Sequence, residues 1–221
     1  MKKQIIEKPI LFRSEMTNAL LKGRKTVTRR LVDPQPPEYV DYLEYKNFNN
    51  SFWGYMSPER LTVHRTKPKY WPGLLLWVKE TWGIIGYSNY SGYEISVMYS
   101  NNKPIYDIEL DDEELWEKIV KHEKQHENKY QCSREEMPIL WRSSLFIPRV
   151  VSRIHLKITD VKIERLHELD DIDAMLEGCK NREDYARLWN EINKKGGILW
   201  EANPWVYRIQ FEVLPEMVSH D

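Results

Sequence analysis

LLKGRKTVTRR, residues 20–30, is the stretch on which the fold reading turns. Just upstream, Glu15 to Lys22 spaces Met16, Ala19 and Leu20 on one helical face, with Ser14 placed to cap it. Gly23 is the expected stop, because glycine takes the left-handed turn after a helix without a side-chain clash. From Thr26 the run TVTRRLV is β-branched enough to read as a strand. The same eleven residues hold five cations, Lys22, Arg24, Lys25, Arg29 and Arg30, and no acid.

Working outward, KPILF (8–12) reads as a short strand. Asp33 to Pro72 carries six of the twelve prolines and reads as a long, partly irregular excursion. LLLWVKETW (74–82) has the apolar density of a buried strand, and 83–110 reads as strands and turns with a hairpin through EISVMYS. Residues 111–130 read as a charged helix with Leu115, Ile119 and His122 on one stripe. VVSRIHLKITDVKIERL (150–166) alternates as a long strand, with a turn or bulge at Thr159-Asp160. Asp170 is placed to cap a helix that Gly178 ends. A further helix spans Glu183 to Ile192 with Tyr185, Leu188 and Trp189 as its apolar side, and WVYRIQFEVL (205–214) closes the chain as a strand. Strands dominate both ends and helices fall between the last two strand groups. That order is α+β, a small mixed β-barrel with peripheral helices, and not the alternation of a doubly wound sheet.

Charge and composition narrow the function. The 33 basic and 34 acidic residues leave a formal net charge of -1, and a pI near 6.6 disfavours duplex binding through an overall basic field. The charge is segregated instead: Asp107 to Glu127 carries nine acids and three lysines, against the wholly basic 22–30. A local anion site is therefore compatible with the balance. Cys132 and Cys179 lack metal-ligand spacing and read as two reduced thiols. Glu7, Lys8 and Pro9 interrupt any signal-like apolar run, and no stretch reaches the length of a membrane helix, so the expectation is a soluble cytoplasmic protein without membrane contact.

Four constellations carry chemical possibilities. Lys25 and Thr28 face opposite sides of a regular strand and converge only if Lys25 belongs to the turn before it. A lysine beside a threonine hydroxyl activates it when neutral, and holds an anion or polarises a carbonyl when charged. The plainer reading is a solvated cationic edge that blocks sheet pairing. In LLLWVKETW, Lys79 and Glu80 follow a core-like run, so one of them turns inward. Glu80 is a candidate buried acceptor or a partner for the basic stretch, and Trp77 and Trp82 flank a ligand or fill the core. Glu177 ends a short helix, where the dipole disfavours a carboxylate unless a cation is close. HEKQH (122–126) matches the HExxH zinc pattern in letters, but its charged neighbours describe a wet helix face, so no metal site is expected.

Together these pieces resemble the ASCH domains, a PUA-like superfamily, and in particular the longer ASCH-like proteins common in phages and prophages. The resemblance rests on KPILF (8–12), LLKGRKTVTRR (20–30), WPGLLLWVKETW (71–82), WRSSLFIPRVVSRI (141–154), ITDVKIERLHELDDIDAMLEGC (158–179), LWNEIN and NPWVYRIQFEVL, in that order. It implies a single PUA-like β-barrel domain over 1–221 with insertions at about 35–70 and 83–138, and a cleft bearing on RNA, a nucleotide or a modified nucleoside. Some small members are amidohydrolases of N4-acetylcytidine that use a Lys, a Thr and a Glu. Matched residue by residue, these are Lys25, Thr28 and Glu177. Arg24, Thr26, Arg29, Arg30, Lys79, Glu80 and Trp82 are the expected substrate contacts on our reading of these segments, with no cofactor and no metal expected. Binding without catalysis is the first expectation. Hydrolysis of an N4-acylated cytidine is the alternative, and a phage structural or host-interaction role, with no protein partner specified, is the third.

Overall fold

The computed structural model describes residues 6–37, 40, 42–46, 51–56, 61–66, 68–90, 92–100, 102–130 and 139–215, with backbone alone at 42–46, 51–56, 61–66, 102–104 and 126–130. The fold is α+β. Eleven strands among the described residues form three sheets: β1 (Glu7–Leu11), β6 (Leu75–Lys79), β10 (His155–Arg165), β11 (Trp205–Val213) and β2 (Val27–Leu31) in the order β1-β6-β10-β11-β2; β3 (Tyr42–Lys46), β4 (Ser51–Met56) and β5 (Leu61–Thr66); and β7 (Trp82–Ser88), β8 (Glu94–Tyr99) and β9 (Asn102–Glu109). The helices are α1 (Ser14–Leu21), α2 (Glu113–Tyr130), α3 (Asp171–Leu176) and α4 (Arg182–Asn193). None of the described helices is long and apolar enough to cross a membrane.

The chain divides into two compact units. One comprises Met1–Lys8, Ala19–Leu76 and His155–Met217, the other Pro9–Asn18, Trp77–Ile154 and Val218–Asp221. In the first, β11 lies between β10 and β2 and pairs antiparallel with both. The register slips between Ile158 and Asp160, the bulge expected at Thr159. Leu166, Leu169, Ala174, Tyr185, Trp189 and Val206 form a core cluster that joins α3 and α4 to this sheet. Caps set the helix ends. Asp170 accepts the Asp173 N–H at 2.7 Å, Asn181 accepts the Asp184 N–H at 2.9 Å, and Gly23 and Gly178 turn the chain at φ 66° and 91°.

Several sequence expectations need correction. Within 33–72, expected to be partly irregular, the described residues include the regular β3-β4-β5 sheet. The prolines of this region all fall outside the three strands, which carry Tyr42, Tyr45, Phe52, Trp53, Tyr55 and Val63. The helix at α1 includes Ser14, and the Arg13 carbonyl, accepting from Met16 and Thr17 at 2.9 and 3.0 Å, opens it. The long strand starts at His155 and not at Val150, because Arg149–Val151 turn as a 3-10 helix after Pro148.

In the second unit, Trp82, Ile84, Ile95, Val97, Tyr99, Leu110, Ile119, Ile147 and Val151 make the core. The inward stripe of α2 differs from the expected one: Ile119, Val120 and Glu123 are buried and His122 is exposed. Arg142 explains the difference, pairing with the Glu123 carboxylate while lying 4.9 Å from the Trp82 ring centroid. Glu123 is therefore a structural anion and not part of a wet face. The side chain of His126 lies outside the described residues, and no metal-binding group occurs among the described ones.

Candidate functional site

The site is built where β2 meets α3, within the first unit. After α1, the Gly23 turn lets the Arg24 and Lys25 N–H groups both donate to the Ala19 carbonyl, at 2.9 and 3.2 Å. Lys25 thus sits before the strand, as convergence requires. Its side chain is buried, and Nζ donates to Glu177 Oε2 at 2.6 Å and to the Glu177 carbonyl at 2.8 Å. One ammonium therefore answers both negative features of the α3 C-terminus, the carboxylate and the helix-end carbonyl. The neighbouring Leu176 carbonyl accepts the Thr26 N–H at 3.0 Å. Burial lowers the Lys25 pKa, with the Glu177 charge opposing it.

Arg29 is the second buried cation. Its Nε donates to Glu164 Oε1 at 2.9 Å, Nη2 lies 2.7 Å from the same oxygen and also binds Asp173, and Nη1 stands 3.5 Å from Glu177 Oε1. Arg208, opposite Arg29 in the β2–β11 register, holds Asp173 Oδ1 at 2.8 Å. The cluster is thus Lys25, Arg29 and Arg208 against Glu164, Asp173 and Glu177, and its formal charges cancel. Glu177 Oε1 and Arg29 Nη1 are both buried without a hydrogen-bond partner among the described residues.

Lys25 and Glu177 of the expected triad meet, and Thr28 follows in β2. The ladder pairs Arg29 with Arg208 and Thr28 with Ile209. Side chains alternate along a strand, so Thr28 is turned to the face that carries Ile209, and Arg29 to the face that α3 covers. Thr28 is also buried, at 1% exposure. Arg29 is corrected as a substrate contact, since three carboxylates engage it.

The remaining expected contacts divide. Arg24 is exposed, and Thr26 and Arg30 are half-buried, with Arg30 Nη1 donating to the Arg29 carbonyl at 3.1 Å. Lys79, Glu80 and Trp82 belong to the second unit. Glu80 is the buried acceptor of the two readings offered for it, accepting from Arg153 Nη2 at 2.9 Å and Nε at 3.1 Å. Trp82 is a core side chain at 1% exposure, and Lys79 Nζ donates to the Leu145 carbonyl at 2.8 Å. Cys179 is a free thiol that burial and the Asp184 charge push up to about 11, while Cys132 lies outside the described residues. Sequence reasoning missed Glu164, Asp173 and Arg208. The available signal was a charged residue in each of two otherwise alternating strands, at the parity that faces α3.

Asp173 gives the cluster a measurable acid dependence. Burial pushes its carboxyl up, and the Arg208 hydrogen bond and the Arg29 charge outweigh that, leaving it below its ordinary value. The native state then binds fewer protons here than the unfolded chain does. The stabilisation is complete above the unfolded pKa of about 4 and is lost as pH falls through the native value. Glu164, raised chiefly by burial, works with the opposite sign, so the Asp173 share needs a difference measurement. Asp173→Asn is expected to be less stable than wild type near neutrality and to lose less stability between about pH 5 and pH 3, read by urea unfolding at each pH.

No family model matches the chain, and no curated protein or solved structure is significantly similar to it.

Proposed function

We propose that this is an ASCH-type protein with a PUA-like barrel, and that it binds a nucleotide or modified nucleoside beside the GRKTVTRR segment. The observation that carries the reading is the buried Lys25–Glu177 pair. The resemblance names these two residues as functional, and they lie 152 positions apart yet hydrogen-bond at 2.6 Å. In this reading the pair and Arg29 fix the segment against α3. Arg24, Thr26 and Arg30, which reach the surface, contact the ligand. Both backbone groups of Thr26 are engaged, by Leu176 and Phe211 at 3.0 Å each, so its hydroxyl is the group presented. Two arginines suit a phosphate, through charge-assisted and bidentate hydrogen bonds.

Binding is favoured over hydrolysis because the hydrolase needs a reachable Thr28 hydroxyl, and Thr28 is buried at 1% exposure on the strand face opposite Arg29. Calorimetric titration with cytidine monophosphate and with N4-acetylcytidine tests this. The expected result is binding that weakens at least tenfold in Arg24→Glu/Arg30→Glu, persists in Thr28→Val, and releases no acetate. Acetate release abolished by Thr28→Val would replace this reading with the hydrolase. No binding of either compound would remove both.

A further inference from the structure

From Arg60 to Lys79 the sequence carries five cations and no acidic residue. It is the chain's second wholly basic stretch, and its described part is arranged differently from the first. At 22–30 two of the cations are consumed by buried carboxylates. Lys69 is instead exposed, and Lys8 from β1 is brought beside it, with Lys8 Nζ donating to the Lys69 carbonyl at 3.0 Å. Neither lysine is ion-paired with a carboxylate among the described residues. Burial, and then the Lys69 charge, lower the Lys8 pKa. Two lysines on one short edge, with no carboxylate paired to either among the described residues, repel one another, and a bound anion would relieve that repulsion.

The same edge presents aromatic surface on a fixed backbone. Lys8 Nζ lies 4.6 Å from the Trp71 ring centroid, and Trp71 is half-buried. The backbone is held on three sides. The Lys69 N–H donates to the Tyr207 hydroxyl at 3.4 Å, the buried Tyr70 ring stands edge-on to Tyr207 at 5.5 Å, and the Gly73 N–H donates to the Ile158 carbonyl at 2.8 Å. Gly73, at φ 87°, completes the turn in which the Leu74 N–H returns to the Trp71 carbonyl at 3.2 Å. Cations interleaved with an aromatic ring on a pre-formed backbone are the arrangement that tracks a phosphate chain and stacks a base.

We propose that this edge binds single-stranded nucleic acid, with Lys8 and Lys69 on the phosphates and Trp71 offering its ring to a base. The surface is separate from the Lys25–Glu177 site and does not depend on the reading of that site.

The test is fluorescence anisotropy of the full chain with labelled oligo(U) and oligo(C) of about a dozen nucleotides, over a salt series starting near 50 mM. Lys8→Gln/Lys69→Gln is expected to weaken binding at least tenfold and to flatten the log–log salt slope by about 1.4, or 0.7 for each lost phosphate contact. Trp71→Leu is expected to weaken binding at least fivefold with the slope unchanged, as for loss of one stacked base. Among the described residues Lys69 is hydrogen-bonded through its backbone alone, so Lys69→Gln leaves those bonds in place. It should flatten the slope by about half as much, which keeps the test open if the double variant fails to fold. Absence of oligonucleotide binding by wild type at the lowest salt, an unchanged slope in the lysine variants, or equal competition by polyglutamate would each overturn the proposal.

Discussion

Glu177→Ala is expected to lose about 3–5 kcal/mol of stability, the usual cost of stranding one member of a buried ion pair. Lys25 Nζ donates to the Glu177 carboxylate at 2.6 Å and to its carbonyl at 2.8 Å, with both side chains buried. Removing the carboxylate leaves an ammonium desolvated with the carbonyl as its remaining Glu177 contact. It also takes from Arg29 Nη1 the carboxylate 3.5 Å away. For a chain of this size such a loss lowers the melting temperature by on the order of 10 °C. The pH dependence separates this mechanism from simple loss of packing. Burial already holds Lys25 below its ordinary value, and the Glu177 charge opposes that. Without Glu177 the pKa falls further. The native state then binds fewer protons at Lys25 than the unfolded chain does, so stability rises as pH rises between the native and unfolded values. Glu177→Ala should therefore recover part of its deficit in alkaline buffer. Lys25→Met/Glu177→Leu, which removes both charges and keeps apolar volume, should regain most of it at any pH. A deficit that is small, or flat with pH, would show that the pair is hydrated.

Arg153→Met is expected to cost a similar amount, about 3–5 kcal/mol, and to act in the second unit. The Arg153 guanidinium makes a two-pronged pair with Glu80, donates from Nη1 to the Tyr106 hydroxyl at 3.0 Å, and lies 4.1 Å from the Tyr99 ring centroid. Methionine fills much of the stem's volume but strands the Glu80 carboxylate beside an apolar core. Hydrogen exchange should locate the damage: amides of β7, β8 and β9 lose protection, while those of β2, β10 and β11 keep theirs. Glu80→Gln, which retains one acceptor, should lose less. Equal deprotection of all three sheets would contradict a role confined to this unit.

Much of the first unit was legible because short-range chemistry specifies it. Gly23, Asp170 and Gly178 sit at positions where local backbone geometry restricts the choice of residue, and each marked a boundary the structure bears out. The meeting of Lys25 with Glu177 came from the resemblance, helped by a carboxylate placed where the helix dipole disfavours it. The face that Thr28 takes is set by something the sequence does not contain. Parity states that residues 28 and 29 oppose one another, but which of the two joins Lys25 depends on the sheet face that α3 covers. The β3-β4-β5 sheet was obscured by prolines that punctuate it from outside the strands. Glu123 was misread because its partner, Arg142, lies 19 positions away. Long-range ion pairs leave no periodic trace, and burial of a charge depends on them.

The extra residue at Thr159 changes how β10 can be rewritten. His155, Leu156 and Ile158 are buried ahead of it, Val161 and Ile163 beyond it, so the apolar rhythm moves from even to odd numbering across the slip. Deleting Thr159 from the gene would keep every apolar residue and leave Leu156, Ile158, Val161 and Ile163 in strict alternation, so the strand could pair with β11 without a slip and keep its buried face. A graft of this strand into another scaffold carries its own stutter, and the neighbour it needs is an unbroken one such as β11, which runs through Phe211, Gln210 and Ile209 without a gap.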